Sequence, residues 1–146
     1  MSARTRKILV LSLIAALATF SGCGGGGSSS ESSSSESGTT PVAALPARTL
    51  SWEPPTSYVD ATPMNPVTEL DQFEIYVNET GAFTDKDLPT ASLGAVDPQT
   101  RTISSSFNLA NLSPHVTAGP KYYVSLRAVA LTGLKSDFSP PVSFSF

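Results

Sequence analysis

From about residue 41 onward the apolar positions of this chain alternate with polar ones, and the period is two. In ARTLSWEPP, Leu50 and Trp52 share a face. In LDQFEIYVN, Phe73, Ile75 and Val77 fall on one side, with Gln72, Glu74 and Tyr76 on the other. RTISSSFNLANL aligns Ile103, Phe107 and Leu109, and serines fill most of the opposite face. KYYVSLRAVA sets Tyr122, Val124, Leu126, Ala128 and Ala130 against Tyr123, Ser125 and Arg127. PVSFSF sets Val142, Phe144 and Phe146 against Ser143 and Ser145. A first strand near Pro41–Leu45 is faint. Turn-rich stretches such as EPPTSYVDATPMNP and NETGAFTDKD separate these runs, and helical periodicity is missing. Half-buried strands parted by turns predict two antiparallel sheets packed face to face. A length of about 100 residues suits an all-β sandwich of seven strands in the immunoglobulin-like manner.

The chain before residue 41 follows other rules. Arg4, Arg6 and Lys7 precede an apolar run from Ile8 to Phe20, and small residues then lead to Cys23. That order of basic, apolar and small residues is the layout of a secretory signal. A spanning helix needs about 20 apolar residues, so this run is too short to stay as an anchor. Next comes GGGGSSSESSSSESGTT, Gly24 to Thr40, with no large apolar side chain to bury. Such a tract is predicted to stay unfolded. A Gly/Ser chain of this length has a root-mean-square span of roughly 20–25 Å. The expected organisation is therefore a signal over 1–22, Cys23 plus a linker over 23–40, and a β domain over 41–146.

Charge narrows the partners. Three of the 9 lysines and arginines lie before residue 8, which leaves six positive side chains against 12 carboxylates. A surface with that balance lacks the cationic stripe that nucleic acid needs, and it does not adhere to anionic lipid by charge. Cys23 is the single cysteine, so no internal disulfide is possible. Zinc would need more than Cys23 and the one histidine, His115.

The search for chemistry is short. His115 reads as a polar loop residue, and no motif arranges serine, histidine and aspartate for nucleophilic attack. Asp85 and Asp87 in TDKDLP match no calcium-loop spacing and read as a solvated turn. No phosphate-cradling glycine loop precedes a helix. Asn78-Glu79-Thr80 fits a glycosylation acceptor, which matters only in a host that uses it. No catalytic, metal or cofactor site is expected, and the chain is not read as an enzyme. The aromatics Tyr58, Phe83 and Tyr123, expected to be exposed, are the candidate contact surface.

Two resemblances sharpen these expectations. Ser21-Gly22-Cys23 resembles the lipobox of bacterial lipoproteins, although Phe20 stands where leucine is usual. The resemblance implies diacylglycerol on the Cys23 thiol and cleavage just before it. Gly24 and Gly25, in place of an aspartate, imply the outer membrane as destination. The region from Pro41 to Phe146 resembles the fibronectin type III domain. The residues that carry this are Leu50-x-Trp52-x-Pro54, Phe73-x-Ile75-x-Val77, Leu112 with Pro114, and Tyr122-x-Val124-x-Leu126-x-Ala128. Gly133 and Ser139 match the closing positions of the pattern. The resemblance implies a core tryptophan at Trp52 and a Tyr122 hydroxyl bonded back to upstream backbone. The spacing from Leu112 to Tyr122 is longer than the family's, which leaves three outcomes: a bond at Tyr122, a bond at Tyr123, or none. Asp60-Ala61 stands where the bacterial variety has Asp-Gly. Together the two resemblances imply a lipid-anchored module at the cell envelope, touching envelope proteins or glycans. The alternative is a structural part of a secretion or surface-fibre assembly with no soluble ligand.

Overall fold

A computed structural model describes residues 44–146. The signal segment, Cys23 and the linker lie outside the described residues, as does most of the faint first strand. Ala44 and Leu45 belong to no strand, although Leu45 packs against the core.

Among the described residues there are six strands. They are β1 (Thr49–Ser51), β2 (Leu70–Asn78), β3 (Ala91–Gly94), β4 (Ser106–Asn108), β5 (Lys121–Ala130) and β6 (Val142–Ser145). One sheet has two strands, β1 beside β4; the other has four, in the order β3-β2-β5-β6. Every pairing is antiparallel. The fold is thus all-β, with two antiparallel sheets, and the expected seventh strand is not found among the described residues. The register of β2 on β5 runs from Leu70↔Ala130 to Asn78↔Tyr123, with one bulge between Leu70 and Gln72.

Period two explains the core. Leu50 of β1 and Trp52, just after it, meet Phe73, Ile75, Tyr122, Val124, Leu126, Ala128 and Phe144 from the large sheet. Alternate residues of a strand point to one face, so these are the side chains that the two sheets bury between them. The segment RTISSSFNLANL behaves as expected in its burial and not in its backbone. Ile103, Phe107 and Leu109 all pack inward, yet only Ser106–Asn108 is strand. Ile103 makes an isolated bridge with Val96, and Leu109–Leu112 turns into a 3-10 helix capped by Asn108.

A single helical turn, Pro66–Glu69, was not foreseen by periodicity. It is too short to show any. Asn65 caps it, its Oδ1 accepting from the Val67 N–H at 3.1 Å. Glu69 reaches back to accept from the Asn65 N–H at 2.8 Å. This reciprocal cap resembles a capping box with one extra residue, and Pro66 suits the first helical position.

Candidate functional site

The half-buried strands predicted from the pattern would leave the outer face of the large sheet to solvent. The structure covers it instead. Glu74 and Tyr76, outward neighbours on β2, are both buried. Two segments fold over them: the return from β5 to β6, carrying Lys135 and Phe138, and the β2–β3 loop, carrying Phe83 and Asp85.

The charges there are paired. Lys135 Nζ donates to both carboxylate oxygens of Glu74 at 2.8 Å. The Tyr76 hydroxyl donates to Glu74 Oε2 at 2.6 Å. Burial, then the bond to Glu74, pushes the Tyr76 pKa well up, so the phenol stays a donor. Arg127, next to them on β5, donates from Nε to the Ser136 carbonyl at 2.7 Å and from Nη1 to Asp85 Oδ1 at 2.6 Å. Its guanidinium lies 4.6 Å from the centroid of Phe138. Tyr76 meets Phe138 edge-on at 4.9 Å, and Phe83 stacks on Phe138 at 5.8 Å. Below this stack a cleft of about 180 Å³ opens between Tyr76, Val77, Asn78, Phe83, Asp87 and Leu88.

Beside this cluster, two serines stand in for a strand. Leu126 N–H donates to Ser139 Oγ, and Ala128 N–H to Ser136 Oγ, each at 2.9 Å. In return the backbone N–H groups of Ser139 and Ser136 donate to the carbonyls of Leu126 and Ala128. Ser125 Oγ donates to the Ser139 carbonyl at 2.7 Å. Every one of these hydroxyls is committed to holding backbone.

The other residues singled out from sequence fall in different places. Trp52 is buried and meets Phe73 edge-on at 5.2 Å. Its Nε1 finds no acceptor among the described residues. Leu112 is buried, and the Tyr122 hydroxyl accepts from the Thr117 N–H at 3.2 Å, so the corner forms at Tyr122 and the long loop is absorbed upstream of it. The three aromatics do not form one exposed surface. Tyr58 is only 7 % exposed, and its hydroxyl donates to Glu69 at 2.6 Å. Phe83 is half-buried on Phe138. Tyr123 is half-buried, with Lys121 Nζ 5.1 Å from its ring centroid and the Gly81 backbone against it. A Cβ at Gly81, where φ is +75°, would lie 3.1 Å from that ring.

Asp87 accepts from the Thr84 N–H at 2.6 Å and so closes its turn. Asn78 holds the next one, accepting from Thr80 and Gly81 and donating to the Ala82 carbonyl. The Asp97 carboxyl is held below the usual carboxylate range by the N–H groups of Thr100 and Gln99. His115 is exposed, and no group of three His, Cys, Asp or Glu side chains that could hold a metal occurs among the described residues. No helix among the described residues is long and apolar enough to cross a membrane. The arrangement on the outer face therefore fixes loops on a sheet; its hydroxyls and charges are spent on one another.

Comparison with family models, with curated proteins and with solved structures finds no match to this chain.

Proposed function

We propose that this chain is a lipid-anchored envelope protein, held at the outer membrane by Cys23, whose β-sandwich is a non-catalytic binding or spacing module of fibronectin type III kind. The observation that carries the proposal is the order of the first 40 residues: a basic start, a short apolar run, Ser21-Gly22-Cys23, then a tract of glycine, serine, glutamate and threonine with no large apolar side chain. One acyl chain holds a protein only marginally; two or more, at about 0.8 kcal/mol per buried CH₂, hold it firmly. The domain reading is supported by Trp52 in the core and by the Tyr122 hydroxyl on Thr117, both of which the resemblance implies. The mechanism is local concentration. A module confined to a surface engages neighbours through contacts too weak to hold a free protein.

The test is intact mass of the protein from cells, together with incorporation of labelled fatty acid. The expected mature chain begins at Cys23, carries acyl mass and partitions with membranes, and Cys23→Ala loses all three properties. A mature chain without acyl groups, starting elsewhere and recovered from the medium, overturns the proposal. Crosslinking in intact cells separates its two forms. One stoichiometric protein neighbour favours a structural part of an assembly; scattered or glycan neighbours favour a binding module.

A further inference from the structure

The β2–β3 loop behaves as a ligand of its own sheet. Two residues of it, with one between them, make the contact. Phe83 stacks on Phe138, Thr84 spaces, and Asp85 pairs with Arg127. The two halves of that contact are unequally fixed. The Arg127 side chain is 11 % exposed, and the Ser136 carbonyl and the Phe138 ring hold it without help from Asp85. The Asp85 side chain is 85 % exposed and meets the sheet at one oxygen. If the loop lifts, the receptor stays built. It then presents a guanidinium whose Nη1–H, now given to Asp85, is released for one oxygen of another carboxylate, beside the bared face of an aromatic ring.

We propose that Arg127, Phe138 and Tyr76 form a docking site for an extended segment of Phe-x-Asp type from another protein, and that Phe83-Thr84-Asp85 occupies this site as an intramolecular pseudo-ligand. The occupant is argued from the chain's own loop, which shows what chemistry the site accepts. A tethered segment competes at an effective concentration of order millimolar, so an outside partner must displace it or bind where it has been weakened. An exposed ion pair contributes little, and salt screens it, so displacement is within reach of a modest partner. The site lies wholly on the sandwich and does not depend on lipid at Cys23. Failure of the experiment below leaves the anchoring proposal untouched, and the reverse also holds.

The probe is the heptapeptide GAFTDKD, the sequence of Gly81–Asp87 with blocked ends, titrated into the ¹⁵N-labelled full chain. In the Phe83→Ala/Asp85→Asn variant the expected shifts cluster at Tyr76, Arg127, Ser136 and Phe138. A peptide with the same two replacements should bind about fivefold more weakly, since the ring that stacks on Phe138 and the charge that faces Arg127 are both removed. Adding Arg127→Gln to the variant should remove the clustered shifts. In the unaltered chain, excess peptide should speed amide exchange at Asp87, whose N–H now donates to the Thr84 carbonyl. No shifts in a double variant that keeps its dispersed β2 and β5 signals overturns the proposal. So do shifts that persist after Arg127→Gln.

Discussion

Replacing Ser139 by alanine isolates an unusual form of strand pairing. Where β6 would continue the ladder along β5, the chain carries Pro140 and Pro141, which have no N–H to give. Upstream of them Ser139 supplies both halves of a rung, its N–H to the Leu126 carbonyl and its Oγ to the Leu126 N–H at 2.9 Å. Leu126 is fully buried, and Ser139 is nearly so. Without the hydroxyl, water cannot reach the Leu126 N–H, and a buried unmet donor costs about 1–3 kcal/mol. Ser125 Oγ keeps its bond to the Ser139 carbonyl, so the loss is confined to one donor. For a domain of about 100 residues each kcal/mol moves the melting point by roughly 4–8 °C, so Tm should fall by roughly 4–24 °C. Trp52, the single tryptophan and buried against Phe73, gives a fluorescence signal for the melt. Ser143→Ala, on the exposed face of β6, is the control and should stay within about 0.5 kcal/mol. A Ser139→Ala chain that melts within about 2 °C of the parent would refute the account, because the donor would then have found another acceptor.

Three further outcomes follow from the same geometry. Tyr122→Phe removes the bond to Thr117, whose exposed N–H can rehydrate, so urea unfolding should show a loss of only about 1 kcal/mol. Lys135→Met leaves the buried Glu74 carboxylate with the Tyr76 hydroxyl as its remaining side-chain donor. Lys135 is itself 40 % exposed, so the loss in urea unfolding should be about 1–2 kcal/mol, less than for a fully buried pair. Tyr76 has its folded pKa raised above the unfolded value of about 10, so its contribution is whole below that pH and is lost as pH rises beyond it. Urea midpoints between about pH 8 and pH 11 should therefore fall less steeply for Tyr76→Phe than for the parent chain.

The inner face of the sandwich was legible because it needs only period two. Phe73, Ile75, Val124, Leu126 and Ala128 follow from their spacing, and each is buried where the pattern puts it. The outer layer was not legible, because nothing local marks it. Glu74 is buried by Lys135, 61 residues away, and Arg127 is tied to Asp85, 42 residues away. A lone Glu-x-Tyr on the polar side of a strand reads as solvated until those partners arrive. Tyr58 was misread for a related reason: a tyrosine among prolines suggests an exposed loop, but Glu69, set by a one-turn helix, takes its hydroxyl inward. The Asn-Pro-x-x-Glu run that builds this helix was the available signal. At Tyr122 the pattern pointed to the right residue and left its partner open, since the longer loop could have moved the bond. The serines at 136 and 139 illustrate a different limit. Ser139 was visible as a position in a motif, whereas its use as a substitute carbonyl depends on a three-dimensional register.

The brevity of the outermost strands has a bearing on crowding. On the anchored surface proposed above, sheet edges would meet at high local density, and unpaired edges invite copies to zip into fibres. The large sheet ends on one side at β3 and on the other at β6, four residues each, and the small sheet has strands of three. Paired prolines sit immediately before β6, and Gly94 closes β3. Among the described residues, a ladder started at either edge of the large sheet by a neighbouring copy would run out after a few rungs.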